Sequence, residues 1–258
     1  MTTTLAVANQ KGGVAKTTSV ASIGAALAEL GQRVLLVDLD PQACLTFSLG
    51  IDPEDLEVSI HQVLTKGLSP VETILETDDG VDLLPATIEL ARAEADLLTR
   101  TGREHAVKAA LELLDDDDVH YDWVLLDCPP SLGVLTVAAL TAADGVLIPL
   151  QCETLSHRGV GQLLDTVHDV RRFTNRGLVV WGVLPTLYDG RTNHARAVLE
   201  TISDTYQLDV VEPPIPKTIK FAEAPAAGRS ILRTSRSSKG AKAYRDVAAH
   251  LLARTGRG

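Results

Sequence analysis

Short apolar runs alternate with longer stretches of helical period along the whole chain. The first run, Thr4–Ala8, leads into a glycine-rich turn. In Thr17–Leu30 the positions Val20, Ile23, Ala26, Leu27 and Leu30 share one side of a helix, and Gly31 follows as its stop. Arg33–Val37 is then a continuous apolar strand closing on Asp38. The alternation goes on with short helices over Leu56–Leu64 and Pro70–Leu75, a strand over Val81–Leu84, and helices over Ile88–Leu98 and Glu104–Leu114. Tyr121–Leu126 reads as a strand, Leu132–Ala142 as a helix and Gly145–Leu150 as a strand. A longer helix, His157–Phe173, carries Val160, Leu163, Leu164, Val167 and Val170 at core spacing. A strand over Leu178–Leu184, a helix over His194–Tyr206, a short strand at Val210–Val211 and a helix over Ser238–Leu252 complete the series. Strands that are apolar throughout belong to sheets buried on both faces. The pattern predicts an α/β chain with a mostly parallel, twisted, doubly wound sheet covered by helices on both faces. No repeat or linker divides it, so residues 1–258 read as one domain.

Composition agrees and narrows the class. Of 258 residues, 45 % are hydrophobic and 22 % charged, which suits a chain with a large core and excludes a disordered one. Apolar runs such as Val146–Leu150 are of strand length, far short of the ~20 residues of a membrane span. Met1–Thr4 lacks the basic start of a secretory signal, so the expected location is cytoplasmic. Cys44, Cys128 and Cys152 form no C-x-x-C pair, which indicates neither a disulfide framework nor a zinc site.

The net charge of −10 speaks against nucleic acid until its distribution is considered. Lys217–Gly258 holds ten basic and two acidic residues, a net +8, which leaves −18 on the 216 residues before it. A basic end on an acidic body is a plausible footprint for DNA phosphates, although a solvated helix face gives the same charge pattern. The run Asp115–Asp118 reads as a solvated connection between a helix and a strand.

Chemistry enters between the first strand and the first helix, at Lys11-Gly12-Gly13-Val14-Ala15-Lys16-Thr17-Thr18. Backbone N–H groups of such a loop, with the helix N-terminus behind them, surround phosphates. Lys16 supplies a positive charge to them, and Thr17 places a hydroxyl on Mg²⁺. The loop resembles a Walker A motif, with Lys11 and Ala15 where the strict form has glycine. More specifically, it resembles the deviant form K-G-G-x-G-K-[ST]-[ST] of the ParA/MinD superfamily of P-loop NTPases. That resemblance implies a site for ATP and Mg²⁺ and an ATP-sandwich homodimer. It also implies that Lys11 reaches the nucleotide of the partner subunit, where a second cation offsets charge in the transition state.

Asp38-Leu39-Asp40-Pro41-Gln42 ends the second strand with two carboxylates at the edge where open α/β sheets bind ligands. It is similar to the superfamily motif D-x-D-P-Q, which implies that Asp40 positions the attacking water and that Asp38 supports Mg²⁺ or its water shell. Capping of a following helix by Asp40, with Pro41 at its first position, is the plainer alternative. The place one helix after a phosphate loop favours catalysis. Asp127-Cys128-Pro129-Pro130-Ser131 resembles Walker B followed by D-x-P-P-S, and an apolar strand ending in Asp127 can hold Mg²⁺ through water. Cys128 reads as a small buried side chain rather than a nucleophile.

Two later stretches, Tyr188–Asn193 and Ile215–Pro225, resemble the Soj branch of ParA proteins. Lys217-Thr218 replaces Arg-Asn there, Lys220 replaces Arg and Ala226 replaces Ser, which keeps basic charge but loses bidentate contacts. The resemblance implies that Pro216 lines the adenine pocket and that Arg191 and Lys220 bind DNA, with Arg229, Arg233 and Arg236 extending the patch. The expected function is an ATP-dependent partition ATPase. It dimerises on ATP, binds double-stranded DNA without sequence preference at the nucleoid, and releases it on hydrolysis, with a ParB-like stimulating protein as a further partner. A MinD-like membrane ATPase is the alternative. It needs an amphipathic C-terminal anchor, and the narrow face of Tyr244, Val247, Ala248 and Leu251 suits burial better.

Overall fold

The structure is a computed structural model that describes residues 2–117, 119–153 and 156–256. Met1, Asp118 and Arg257, which figure in the sequence reading, lie outside the described residues. In chain order the elements are β1 (Thr3–Val7), α1 (Lys16–Glu29), β2 (Val34–Asp38), α2 (Cys44–Ser48), α3 (Ile60–Lys66), β3 (Leu75–Glu76), β4 (Asp82–Leu84), α4 (Leu90–Leu98) and α5 (Ala106–Asp116). They continue with β5 (Trp123–Asp127), α6 (Val134–Ala142), β6 (Gly145–Gln151), α7 (Ser156–Phe173), β7 (Val179–Thr186), α8 (Asn193–Tyr206), α9 (Lys220–Ala226), α10 (Ile231–Thr234) and α11 (Lys239–Arg254).

The seven strands form one sheet in the order β3-β4-β2-β5-β1-β6-β7. All neighbours run parallel except β3 and β4. Every residue of β1, β2 and β5 is buried, as continuous apolar strands require of a sheet covered on both faces. The chain leaves β1 toward β2 on one side and later returns to β6 on the other. The carboxyl ends of β1, β2 and β5 therefore border a crevice at a topological switch point.

Two apolar layers sandwich the sheet. One holds Leu90, Leu135, Leu140, Val160 and Leu163 from α4, α6 and α7; the other joins α1, α10 and α11. Tyr244, Val247, Ala248 and Leu251 of α11 are fully buried in the second layer, and the Tyr244 hydroxyl hydrogen-bonds Ser19 of α1 at 3.0 Å. Each large side chain so buried stabilises by about 1.5–3 kcal/mol. The apolar face of α11 is thus occupied by the body of the protein, as the sequence reading expects.

Several boundaries differ from the pattern for local reasons. The helix expected from Leu56 begins only at Ile60, where Ser59 and Gln62 form a capping box, and Pro53–Asp55 is a separate 3₁₀ turn. Pro70–Leu75 is a 3₁₀ turn at Pro70–Glu72 followed by the antiparallel edge strand β3. Val210 makes one bridge to Val183 rather than a strand. The short helices α2, α9 and α10 were not expected; α9 even contains Pro225.

Candidate nucleotide and magnesium site

The loop between β1 and α1 is anchored at both ends. The Asn9 side chain donates to the Pro149 carbonyl at 2.7 Å and accepts the Lys11 N–H at 3.0 Å. The Thr186 hydroxyl at the end of β7 donates to the Val14 carbonyl at 2.9 Å. Gly13 (φ 74°) and Ala15 (φ 62°) turn the chain through left-handed conformations into the helix. A Cβ at Gly12 or Gly13 would meet no protein atom within 4 Å, so the space before the loop is open. No side chain caps α1, as none caps α2, α4, α6, α9 or α10; what sets α1 apart is the open glycine-rich loop in front of it. The N–H groups of its first turn, Lys16, Thr17 and Thr18 among them, are left for an anion.

Lys16 is buried, with Nζ 3.4 Å from the Lys11 carbonyl. Burial lowers its pKa, and the charges of Asp127, Cys128 and Asp40 oppose the shift. The Lys11 ammonium is ion-paired with Glu153 on the segment after β6.

Parallel pairing of β2 with β5 sets Asp38 directly beside Asp127. Both are fully buried, yet their surroundings differ. Asp38 Oδ1 accepts the Asp40 N–H at 3.1 Å, and Oδ2 accepts the Thr46 N–H at 2.9 Å and hydroxyl at 2.8 Å. Burial pushes its carboxyl up to about 6 against these donors. Neither oxygen of Asp127 has a hydrogen-bond partner. Its pKa is raised well above the carboxylate range by burial and then by the Asp38 charge, while the Thr17 hydroxyl and the Lys16 ammonium pull the other way. A buried carboxylate without a partner is costly unless a cation meets it. Asp127 beside the Thr17 hydroxyl therefore fits a hard cation such as Mg²⁺. Three protein donors hold Asp38 and fix the Asp40 segment, which leaves one of its four lone pairs, on Oδ1, for a metal or its water shell.

Asp40 is half-buried, and its Oδ1 accepts the Gln42 N–H at 3.0 Å. It does not cap a helix, because α2 starts at Cys44 with Ala43 before it. Cys128 is buried and its thiol pKa is pushed up by burial, as suits a packing residue. Tyr188, two residues beyond β7, bridges Pro216, which brings Pro216 to the sheet edge that carries the loop.

The candidate DNA residues are mostly paired with acids. Arg191 meets Asp189 at 2.8 Å, Lys220 meets Glu223 at 2.7 Å, Arg229 meets Asp78 at 2.5 Å and Arg233 lies 3.7 Å from Asp79. Arg236 gives its carbonyl to Arg245, whose guanidinium is also bound to Glu29. The basic tail is thus partly neutralised by the body. Asn9, Thr46, Glu153 and Thr186 escaped the sequence reading. A polar residue at the end of an apolar strand, as Asn9 and Thr186 are, is the signal that was there to be used.

Known proteins share this architecture and sequence. The AAA domain family matches residues 2–180. The chain is 42 % identical to the sporulation initiation inhibitor protein Soj of Bacillus subtilis, covering 96 % of this chain and 98 % of that one. It is 38 % identical to the chromosome partitioning protein ParA of Caulobacter vibrioides, covering 97 % and 94 %. Among solved structures, one described as cobyrinic acid a,c-diamide synthase from Mycobacterium smegmatis, with bound ADP and magnesium, is 57 % identical. It superposes with a TM-score of 0.88 over 99 % of this chain and 96 % of that one. A loop with open phosphate donors, an orphaned carboxylate beside it and full-length likeness to Soj and ParA place this chain in the ParA/Soj family of chromosome-partitioning ATPases, with ATP and Mg²⁺ as its cofactors.

Proposed function

We propose that this ATPase is a nucleotide switch that dimerises on ATP, binds double-stranded DNA without sequence preference, and releases it on hydrolysis. The observation that carries the reading is the orphaned Asp127 carboxylate, held beside Lys16, Thr17 and the open first turn of α1. In this reading the N–H groups from Gly12 to Thr18 and the Lys16 ammonium hold the phosphates, while Val14 and Ala15 shape the loop. Thr17 and Asp127 hold the metal, which supplies charge neutralisation at the phosphates when bound. Asp38, fixed by Thr46, keeps Asp40 at the sheet edge, where its half-exposed carboxylate orients water. Pro216 stands at the base. Lys11 leaves Glu153 and reaches the nucleotide of a second subunit, so that ATP binding and dimerisation favour each other.

The dimer then doubles the basic surface of Arg191, Lys220, Arg229, Arg233 and Arg236, and phosphate contacts give binding that salt weakens. A ParB-like protein is the expected stimulator of hydrolysis, and the nucleoid is the expected place of action. Burial of the apolar face of α11 argues against the membrane alternative. The description of the M. smegmatis protein raises a second reading, ATP-dependent amide formation on a corrinoid. It shares the nucleotide site and differs in the second ligand.

Mass measurement in solution tests the switch. Asp40→Ala with ATP and Mg²⁺ is expected to accumulate as a dimer with turnover lowered at least about 100-fold, the usual scale for loss of a group that orients the nucleophile. Adding Lys11→Gln is expected to return it to monomer. Full turnover in Asp40→Ala, or a dimer that ignores nucleotide, would contradict the cycle.

A further inference from the structure

The turn between β3 and β4 crosses over to the C-terminal helices. Asp79 on this turn is buried and accepts both the N–H of Ser230, at 2.7 Å, and its hydroxyl, at 2.9 Å. The turn is closed on itself as well: the Gly80 N–H donates to the Thr77 carbonyl, and the Thr77 hydroxyl donates to the Val81 carbonyl at 2.7 Å. This fastening presents the neighbouring Asp78 outward, where it takes the Arg229 guanidinium at 2.5 Å although the two are 151 residues apart in sequence. Beside the pair lies a cleft of about 510 Å³ between the end of α2, the turn and the segment joining α9 to α10. Arg229 and Arg233 line it opposite the carboxylates of Glu76 and Asp78, with Gly50 and Gly228 between.

An arginine fork matches phosphate and carboxylate alike; here Asp78 holds Arg229 and Asp79 lies 3.7 Å from Arg233, so an oxyanion enters the cleft only by displacing a carboxylate. The Arg191–Asp189 and Lys220–Glu223 pairs join near neighbours in sequence and form wherever such residues are close. Asp78 is brought to Arg229 by a separate, anchored turn. We propose that this cleft is a phosphate subsite of the DNA surface and that Asp78 is its built-in competitor, occupying Arg229 until a DNA phosphate displaces it. The proposal rests on the DNA-binding reading and adds to it a residue that holds affinity down. Such restraint suits a protein that must let go of DNA as well as bind it. Asp78 lies outside the nucleotide site, with its side chain 68 % exposed, so its neutralisation leaves fold and nucleotide binding in place.

The test is equilibrium binding of the full chain, with ATP and Mg²⁺, to random-sequence duplex DNA at one fixed salt concentration. Wild type, Asp78→Asn, Arg229→Gln and the double variant are compared. Release of an exposed ion pair predicts that Asp78→Asn binds about two- to five-fold tighter than wild type. The same change is expected to give no gain when Arg229 is already Gln. Unchanged affinity in Asp78→Asn would overturn the proposal, and so would an equal gain in the Arg229→Gln background, which would mark a general charge effect. If wild type and Asp78→Asn both fail to bind DNA, the DNA reading falls and takes the proposal with it.

Discussion

Ala15 holds φ 62° and ψ 36° at the turn into α1, a left-handed conformation that a Cβ opposes. The sequence marks this position as a departure from glycine, and the backbone shows what the departure costs. Ala15→Gly relieves the strain but frees the unfolded chain, so a net gain of about 0.5–1 kcal/mol is expected on denaturant unfolding. A loss of stability would mean that the loop gains from the methyl group. At Asp127 stability and function oppose each other. Asp127→Asn removes a buried carboxylate that accepts no hydrogen bond and whose burial outweighs the pull of Thr17 and Lys16, so the nucleotide-free variant should melt higher than wild type while losing its magnesium-dependent turnover. A lower melting temperature would show that the carboxylate is satisfied after all. Asp38 adds a dependence on pH. Its carboxyl is pushed up to about 6, so the folded state binds this proton more tightly than the unfolded state does. The stability from this group is complete below the ordinary carboxylate value and is lost as pH rises through the folded value. Free of nucleotide and metal, wild type should lose more stability than Asp38→Asn between about pH 5 and about pH 7.5. Equal losses would contradict the assignment.

Among elements, β6 and β7 meet where Gly145 faces an indole. A Cβ on Gly145 would collide with Trp181 Nε1, and Trp181 stacks edge-on against Trp123 at 5.9 Å. Gly145→Ala therefore displaces a ring from the core and should cost about 1–3 kcal/mol by thermal unfolding. A change within about 0.5 kcal/mol would mean that the ring moves freely. Most of the alternation of strand and helix was legible in the sequence, because period and apolar content act over whole elements. The phosphate loop was legible because Lys11–Thr18 is contiguous. Thr46 and Thr186 were not, since their partners, Asp38 and Val14, lie 8 and 172 residues away and any threonine reads alike in a pattern. Helices α2 and α10, of five and four residues, are too short to show a period, and Pro225 hid α9. The basic end was legible as charge, but the acids that meet it, Asp78, Asp79 and Glu29, come from distant segments.

For the molecule as a whole, one sheet edge gathers the nucleotide residues, while the candidate DNA residues follow β7 in the chain, on the loops and short helices up to α11. Helix α1 starts at the phosphate loop and packs along its length on α11, so the nucleotide site and the basic end share one rigid partner. That layout suits a switch in which ATP governs the basic surface, and it makes DNA binding the property to measure. The direct measurement is binding of the full-length protein to random-sequence duplex DNA with ATP, with ADP and without nucleotide, across a salt series. The account predicts binding with ATP that falls steeply and linearly in log K against log salt, with little binding in the other two states. Binding that is equal in all three states, or absent with ATP while the protein still hydrolyses it, would contradict the account.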